Sequence, residues 1–118
     1  MNNGILTSPF RLVVFLPLAV FWSPPTYAWP TETVLACHWD SGKDELIPID
    51  EANKRVTMGG PGPVEIQRFD NSGISFRLED DWYRDDYTID RATGDITFFE
   101  YVKKTNHTRS EHGRCHLR

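Results

Sequence analysis

Two cysteines and their neighbouring histidines are the residues whose spacing most suggests chemistry. His38 follows Cys37 directly, and His116 follows Cys115. Bonded cysteines hold their backbones about 5–6 Å apart, so these histidines would lie side by side on the opposite face of a sheet. Imidazole suits zinc, copper or nickel, and His112 could add a further ligand. The spacing matches no zinc-finger pattern, so surface histidines are the simpler interpretation and a metal site is the alternative.

A run of carboxylates is the second candidate. Its members are Glu79, Asp80, Asp81, Asp85 and Asp86. Such a run could supply oxygen ligands to calcium, or the paired carboxylates of a glycosidase. However, it lacks the regular spacing and the glycine of a calcium loop, and a small domain offers no deep cleft. We therefore interpret it as a solvated face that is available to a protein partner.

The first 28 residues are typical of a secretory signal peptide. Arg11 precedes an apolar run at residues 12–22, two prolines follow it, and residues 26–28 (Thr-Tyr-Ala) place small residues at −3 and −1 of a cleavage site. The run is too short for a membrane span, which needs roughly 20 residues. We expect residues 1–28 to be removed and residues 29–118 to form a single β domain that is secreted or periplasmic, with no membrane attachment after cleavage.

The cysteine pair is expected to form a disulfide in that compartment. No other pairing is possible within the chain, and the loop from position 37 to position 115 holds 79 residues counting both ends. Closing it disfavours the unfolded state by roughly 4.5 kcal/mol, which is comparable to the whole net stability of a small domain. Residues 34–37 (Val-Leu-Ala-Cys) also look like a lipidation signal, but lipidation of Cys37 would leave Cys115 without a partner.

The charge distribution limits the class of partner. Without Arg11 the chain carries 12 basic and 17 acidic side chains, a net charge of −5. Residues 40–100 hold 15 acidic and 7 basic side chains, whereas residues 101–118 hold five basic and one acidic. An acidic body argues against nucleic acid as a partner, because phosphate binding needs a basic face. We expect the basic segment to be a strand that pairs with an acidic neighbour.

Alternating apolar and polar residues, with turn signals every 8–12 residues, predict an all-β chain. The densest apolar segment is a predicted hairpin at residues 82–102, against which the other segments must pack. Further strands are predicted at residues 33–39, 46–49, 56–58, 64–69, 74–79 and 107–117, and a short helix is an alternative at residues 50–55. About seven or eight short strands indicate a small antiparallel β-sandwich or barrel-like sheet with one disulfide.

The turn of the predicted hairpin has its own motif, Asp-Arg-Ala-Thr-Gly at residues 90–94. Asp90 can accept hydrogen bonds from turn amides, Thr93 can do so more weakly, and Gly94 can adopt a positive φ. Arg91 would project to solvent or pair with a carboxylate. We expect these four residues to have a structural role.

The early cysteine at position 37, the run Tyr-Thr-Ile-Asp-Arg-Ala-Thr-Gly at residues 87–94, and Gly-Arg-Cys at residues 113–115 are similar to those of a group of small exported bacterial proteins. These proteins are mostly proteobacterial, and their function is not established. The resemblance covers most of residues 29–118. It implies a bacterial source and a secreted or periplasmic β domain, and it implies no reaction.

The sequence contains no serine nucleophile elbow, phosphate-binding glycine loop or metalloprotease helix. We therefore expect no enzymatic activity and no cofactor. Size and export favour a protein-binding module of the cell envelope. One version is an inhibitor of a hydrolase such as lysozyme, because periplasmic lysozyme inhibitors are also small disulfide-bonded β domains and an acidic face suits a basic enzyme. The alternative is a periplasmic protein that binds a transition metal through histidines.

Overall fold

The computed structural model describes residues 32–118, and these form eight β-strands. The strands are β1 (Glu32–Trp39), β2 (Asp44–Asp50), β3 (Arg55–Val56), β4 (Val64–Phe69), β5 (Gly73–Glu79), β6 (Tyr83–Asp90), β7 (Asp95–Val102) and β8 (His107–Leu117). The all-β prediction is confirmed. The helix considered at residues 50–55 is wrong, because residues 51–54 form a turn. The predicted signal peptide, residues 1–28, lies outside the described residues.

The strands form one antiparallel sheet in the order β3-β2-β1-β8-β7-β6-β5-β4. Every pair of consecutive strands is hydrogen-bonded except β3 and β4, and the last strand returns to pair with the first. The sheet therefore curls into a nearly closed barrel, with β3 and β4 in contact across an unpaired seam. Of the two predicted architectures, the barrel-like sheet is the one observed. Residues 32–118 contain no helix long and apolar enough to cross a membrane.

Alternation along the strands fills the barrel interior. In β5, for example, Ile74, Phe76 and Leu78 are almost completely buried. Trp39, at the end of β1, is 2% exposed, and Tyr87 stacks on Phe76 with ring centroids 4.9 Å apart. Burying a large apolar side chain stabilises the fold by roughly 1.5–3 kcal/mol, so this core is the main source of stability.

The Cys37–Cys115 disulfide crosses the junction between β1 and β8. The two cysteines are directly opposite each other in the register, and both are buried. The predicted pairing is confirmed. Because this junction joins the two ends of the described chain, the disulfide links strands that are far apart in sequence. The disulfide also indicates an oxidising, extracytoplasmic environment.

Hydrogen bonds fix the turn between β6 and β7. The Asp90 side chain accepts bonds of 2.9 and 3.2 Å from the amides two and three residues later, and Thr93 accepts one of 3.1 Å from Asp95. Gly94 has a φ of +84°, and a Cβ there would lie 2.3 Å from the carbonyl oxygen of Cys115. Any larger residue would therefore push the turn away from β8.

Arg91, in the same turn, reaches both sides of the seam. Its side chain is fully buried, and Nη2 lies 2.8 Å from Oε2 of Glu51, in the turn between β2 and β3. Nη1 donates a 2.9 Å hydrogen bond to the carbonyl oxygen of Asp70, just after β4. The guanidinium also lies 5.7 Å from the ring centroid of Phe69. Arg91 thus links the strands that do not hydrogen-bond to each other.

We expect Arg91→Met to lower the free energy of unfolding by about 3 kcal/mol, because it leaves the partly buried Glu51 carboxylate without its cation. Urea denaturation with the disulfide intact measures the change. Arg68→Met is the matched control, since Arg68 pairs with Asp70 but is half-exposed, and its effect on the free energy of unfolding should be much smaller. Equal losses in the two variants would contradict the role given to Arg91.

Candidate functional site

Two turns meet at the end of the barrel farthest along β6 from Arg91. We call residues 79–83 and 103–106 the Trp82 rim. The backbone amide of Lys103 donates a 2.8 Å hydrogen bond to the carbonyl oxygen of Trp82. The side-chain Nζ of Lys103 donates a 2.6 Å hydrogen bond to the carbonyl oxygen of Asp80. The Asp80 carboxylate accepts hydrogen bonds of 2.7 and 2.8 Å from the backbone amides of Tyr83 and Trp82. These two hydrogen bonds lower the pKa of Asp80 and hold the turn in one conformation.

An open groove of about 500 Å³ lies beside the rim. It is lined by Pro63, Glu65, Arg77, Glu79, Asp80, Asp81 and Lys103. Both of its cations already have carboxylate partners: Lys103 lies 2.8 Å from Glu79, and Arg77 lies 2.7 Å from Asp86 on the outer face of β6. The hydrogen bond from Lys103 lowers the pKa of Glu79. The groove therefore keeps an excess of negative charge, with Asp81 and Glu65 exposed.

An exposed tryptophan, Trp82, directly follows the groove-lining Asp81 in the chain. The Trp82 side chain is 52% exposed, and that of its neighbour Tyr83 is 41% exposed. Nζ of Lys104 lies 3.7 Å from the Trp82 ring centroid, a cation–π contact that restricts the indole. Tryptophan and tyrosine are enriched among the residues that dominate binding at protein interfaces. The rim thus combines a positioned aromatic group with a carboxylate-lined groove.

The five carboxylates predicted to share a partner face do not lie on one surface. Glu79, Asp80 and Asp81 line the groove, whereas Asp86 lies on the outer face of β6 in an ion pair. Asp85 points into the barrel and is 6% exposed. Side chains alternate between the two faces of a strand, so neighbours such as Asp85 and Asp86 separate. Positions 87 and 89 lie on the same face of β6 as Asp85 and are apolar, and this alternation is the sequence pattern that predicts an inward-facing Asp85.

Asp85 faces another carboxylate inside the barrel. It lies directly opposite Glu100 of β7 in the strand register. Its Oδ1 is buried and has no hydrogen-bond partner among residues 32–118. The pKa of Asp85 is raised to about 7, first by burial and then by its hydrogen bond to Glu100 and the charge of Glu100, while Arg109 opposes the shift. Because ionised carboxylates only accept hydrogen bonds, this pair bonds to itself only when it holds a proton.

Other charged groups lie around this pair, and no sequence pattern points to them. Nη2 of Arg109 is 3.3 Å from Glu100, and Nη1 is 3.8 Å from Glu111. Glu45 accepts a 3.0 Å hydrogen bond from the indole of Trp39. They come from β2, β7 and β8, so only the strand order brings them together. This end of the barrel therefore has a polar interior, unlike the apolar core below it.

His38 and His116 both border a hollow of about 390 Å³ on the outer face, but they are not directly opposite each other, because His38 pairs with Arg114 and His116 with Ala36. Their arrangement gives no support to a metal site, however. His38 is 2.6 Å from Asp44, and His112 is 3.3 Å from Asp40. Across residues 32–118, no group of three or more His, Cys, Asp or Glu side chains could hold a metal ion.

No protein-family model, curated protein or solved structure matches this chain. The geometry of the Trp82 rim and its groove is therefore the basis for assigning a function.

Replacing Asp85 with Asn should reduce the loss of stability with rising pH. The raised pKa means that the folded state keeps its proton while the unfolded state, with the ordinary value of 3.8, loses it. The stabilisation is therefore complete below pH 4 and is lost between pH 4 and about 7, by at most about 1.4 kcal/mol per pH unit. Asn cannot ionise and still donates to Glu100.

Urea denaturation of the wild type and the Asp85→Asn variant between pH 4 and 8 measures this difference. Asp81→Asn is the matched control, because it removes the same charge from an exposed position at the same end of the barrel. Its curve should run parallel to that of the wild type. Parallel curves for the wild type and Asp85→Asn would show that the internal pair does not hold a proton.

Proposed function

We propose that this protein is a non-catalytic protein-binding module of the bacterial cell envelope, exported to the periplasm or the medium. It binds a basic protein through the Trp82 rim and the groove beside it. The observation that carries the proposal is an exposed tryptophan, held in place next to a carboxylate-lined groove.

Trp82 has the properties of a binding anchor. The half-exposed indole leaves apolar surface in contact with water, which a partner could bury. The contact with Lys104 restricts the indole, so binding removes less conformational freedom from it. A partner that covers Trp82 and Tyr83 would bury two large aromatic surfaces at once. The amide bonds to Asp80 fix the backbone beneath them, so the surface is preformed.

The groove determines the kind of partner. Its two cations are paired within the protein, so the exposed carboxylates of Asp81 and Glu65 remain for a ligand. A lysine or arginine of a partner fits this groove by charge, and negative surfaces speed the association of basic proteins. An acidic or neutral partner would gain neither advantage.

A lysozyme-type hydrolase is the specific partner that we propose, which makes the protein an inhibitor. Lysozymes that are basic match the charge of the groove, and the oxidising compartment indicated by the disulfide is where an exported inhibitor would meet one. The resemblance to small exported bacterial proteins supports the same compartment. Inhibition requires only that the bound domain blocks access to the enzyme's cleft, and no chemistry by this chain.

Calorimetric titration of the disulfide-bonded full chain with a basic animal lysozyme tests the proposal. We expect binding that weakens as salt is added. Trp82→Ala should weaken it about 30-fold or more, the loss of about 2 kcal/mol that is typical of an interface anchor. Phe99→Ala is the matched control, since Phe99 is 42% exposed but lies on the outer wall of the barrel, and it should change the affinity less than about threefold.

The same titration with lysozyme whose lysines are acetylated shows whether charge selects the partner. Acetylation removes positive charge, so binding should be largely lost. Absence of binding to native lysozyme would overturn the inhibitor proposal. Equal binding by the wild type and Trp82→Ala would remove the rim from it.

A further inference from the structure

We propose that the Asp85–Glu100 pair is a latch for the Trp82 rim: while it holds one proton it keeps β6 and β7 paired beneath the rim, and when the proton leaves that pairing loosens. The latch is a property of the fold alone. Its effect on partner binding rests on the function proposed above.

The position of the pair in the sheet connects it to the rim. The β6–β7 ladder ends at the pair Tyr83 and Val102, and Asp85 and Glu100 are the next inward-facing pair along it. Tyr83 is part of the rim, and Trp82 precedes it directly. Any separation of the strands at Asp85 therefore moves the backbone that carries the exposed aromatic residues.

The geometry of the pair requires a proton. Like charges directly opposite each other on neighbouring strands are destabilising. Oδ1 of Asp85 is inaccessible to solvent and receives no hydrogen bond from any of the described residues. A proton shared between the two carboxyl groups supplies the missing donor and removes one of the charges. Without it, a buried negative charge faces another and an oxygen remains unsatisfied, which is costly in the protein interior.

The surroundings do not compensate for a second negative charge. Opposite Asp85 on β5 is the apolar Leu78. The charged and titratable groups that face the pair from the other elements are Asp80 in the turn before β6, Tyr87 on β6, Glu45 on β2, and Arg109 and Glu111 on β8. Arg109 is the one cation in this set, and it is already shared between Glu100 and Glu111 while its side chain remains 56% exposed.

The pH at which the latch operates follows from the pKa of Asp85. Burial, together with the hydrogen bond to Glu100 and its charge, raises it to about 7. The latch is therefore closed in mildly acidic surroundings and opens above neutral pH. If the rim binds a partner, binding is strongest in the closed state, because a rim that is already ordered loses less conformational entropy on binding.

Backbone hydrogen exchange of the disulfide-bonded full chain, measured between pH 5.5 and 8.5 and corrected for the intrinsic effect of pH, tests the latch. Between pH 6 and 8, protection at residues 83–86 and 99–102 should fall about tenfold, the factor that corresponds to one pH unit of titration beyond the pKa. Protection at residues 33–39 of β1 should stay constant. A parallel change in both regions would overturn the proposal.

Two variants assign the effect to the pair. Asp85→Asn removes the titrating carboxyl group, so it should abolish the fall in protection. Glu100→Gln leaves Asp85 ionisable but removes the facing charge that helps to raise its pKa, so it should move the fall to lower pH, and it serves if the first variant does not fold. Glu32→Gln is the matched control, because it removes one charge from an exposed position at the start of β1, and it should keep the fall. A fall that persists in Asp85→Asn, or that stays at the same pH in Glu100→Gln, would also overturn the proposal.

Lysozyme titrations at pH 6 and pH 8 separate this proposal from the previous one. If both proposals hold, the wild type should bind lysozyme more weakly at pH 8 than at pH 6, and Asp85→Asn should show no such difference. A fall in protection without lysozyme binding at either pH would leave the latch standing and overturn the inhibitor function. Lysozyme binding without any fall in protection would support the inhibitor function and overturn the latch.

Discussion

The unpaired seam between β3 and β4 is the constraint on which the rest of the structure depends. Eight strands give seven hydrogen-bonded junctions in this sheet, and the eighth is left to side chains. Arg91 makes that link: its side chain is fully buried and donates a hydrogen bond to Glu51 and another to the carbonyl group of Asp70. A domain of this size buries a limited share of its surface and is only marginally stable, so an unlinked seam would lower its stability substantially. The disulfide holds the β1–β8 junction covalently.

The two ends of the barrel differ in how their polar groups are satisfied. The end at Arg91 is closed by a buried cation with its carboxylate and by a turn whose hydrogen bonds hold the chain against β8. The opposite end contains a carboxyl pair with a buried oxygen that no described residue hydrogen-bonds, an acidic groove and an exposed tryptophan. Unsatisfied polar groups and exposed aromatic residues are costly for stability, and proteins retain them mainly where they serve a function. This contrast is why the Trp82 rim, and not the Arg91 turn, is the proposed binding surface.

Local patterns predicted much of the fold. Strands at residues 64–69 and 107–117 occur where they were predicted, and the disulfide followed from having two cysteines in a chain predicted to be exported. Contacts between distant segments could not be predicted in the same way. Arg91 meets Glu51 from 40 positions away, and Asp85 meets Glu100 only through the register of β6 against β7. The inward direction of Asp85 could have been predicted from its alternation with positions 87 and 89, but its partner could not.

Mapping the proposed lysozyme contact by nuclear magnetic resonance tests the central claim most directly. In a titration of the isotope-labelled, disulfide-bonded full chain, the account predicts that amide shifts change first and most at residues 79–83 and 103–104, and that the indole signal of Trp82 changes with them. Changes centred instead on the outer faces of β1 and β8, around His38 and His116, would contradict it. No change at any residue would contradict it equally.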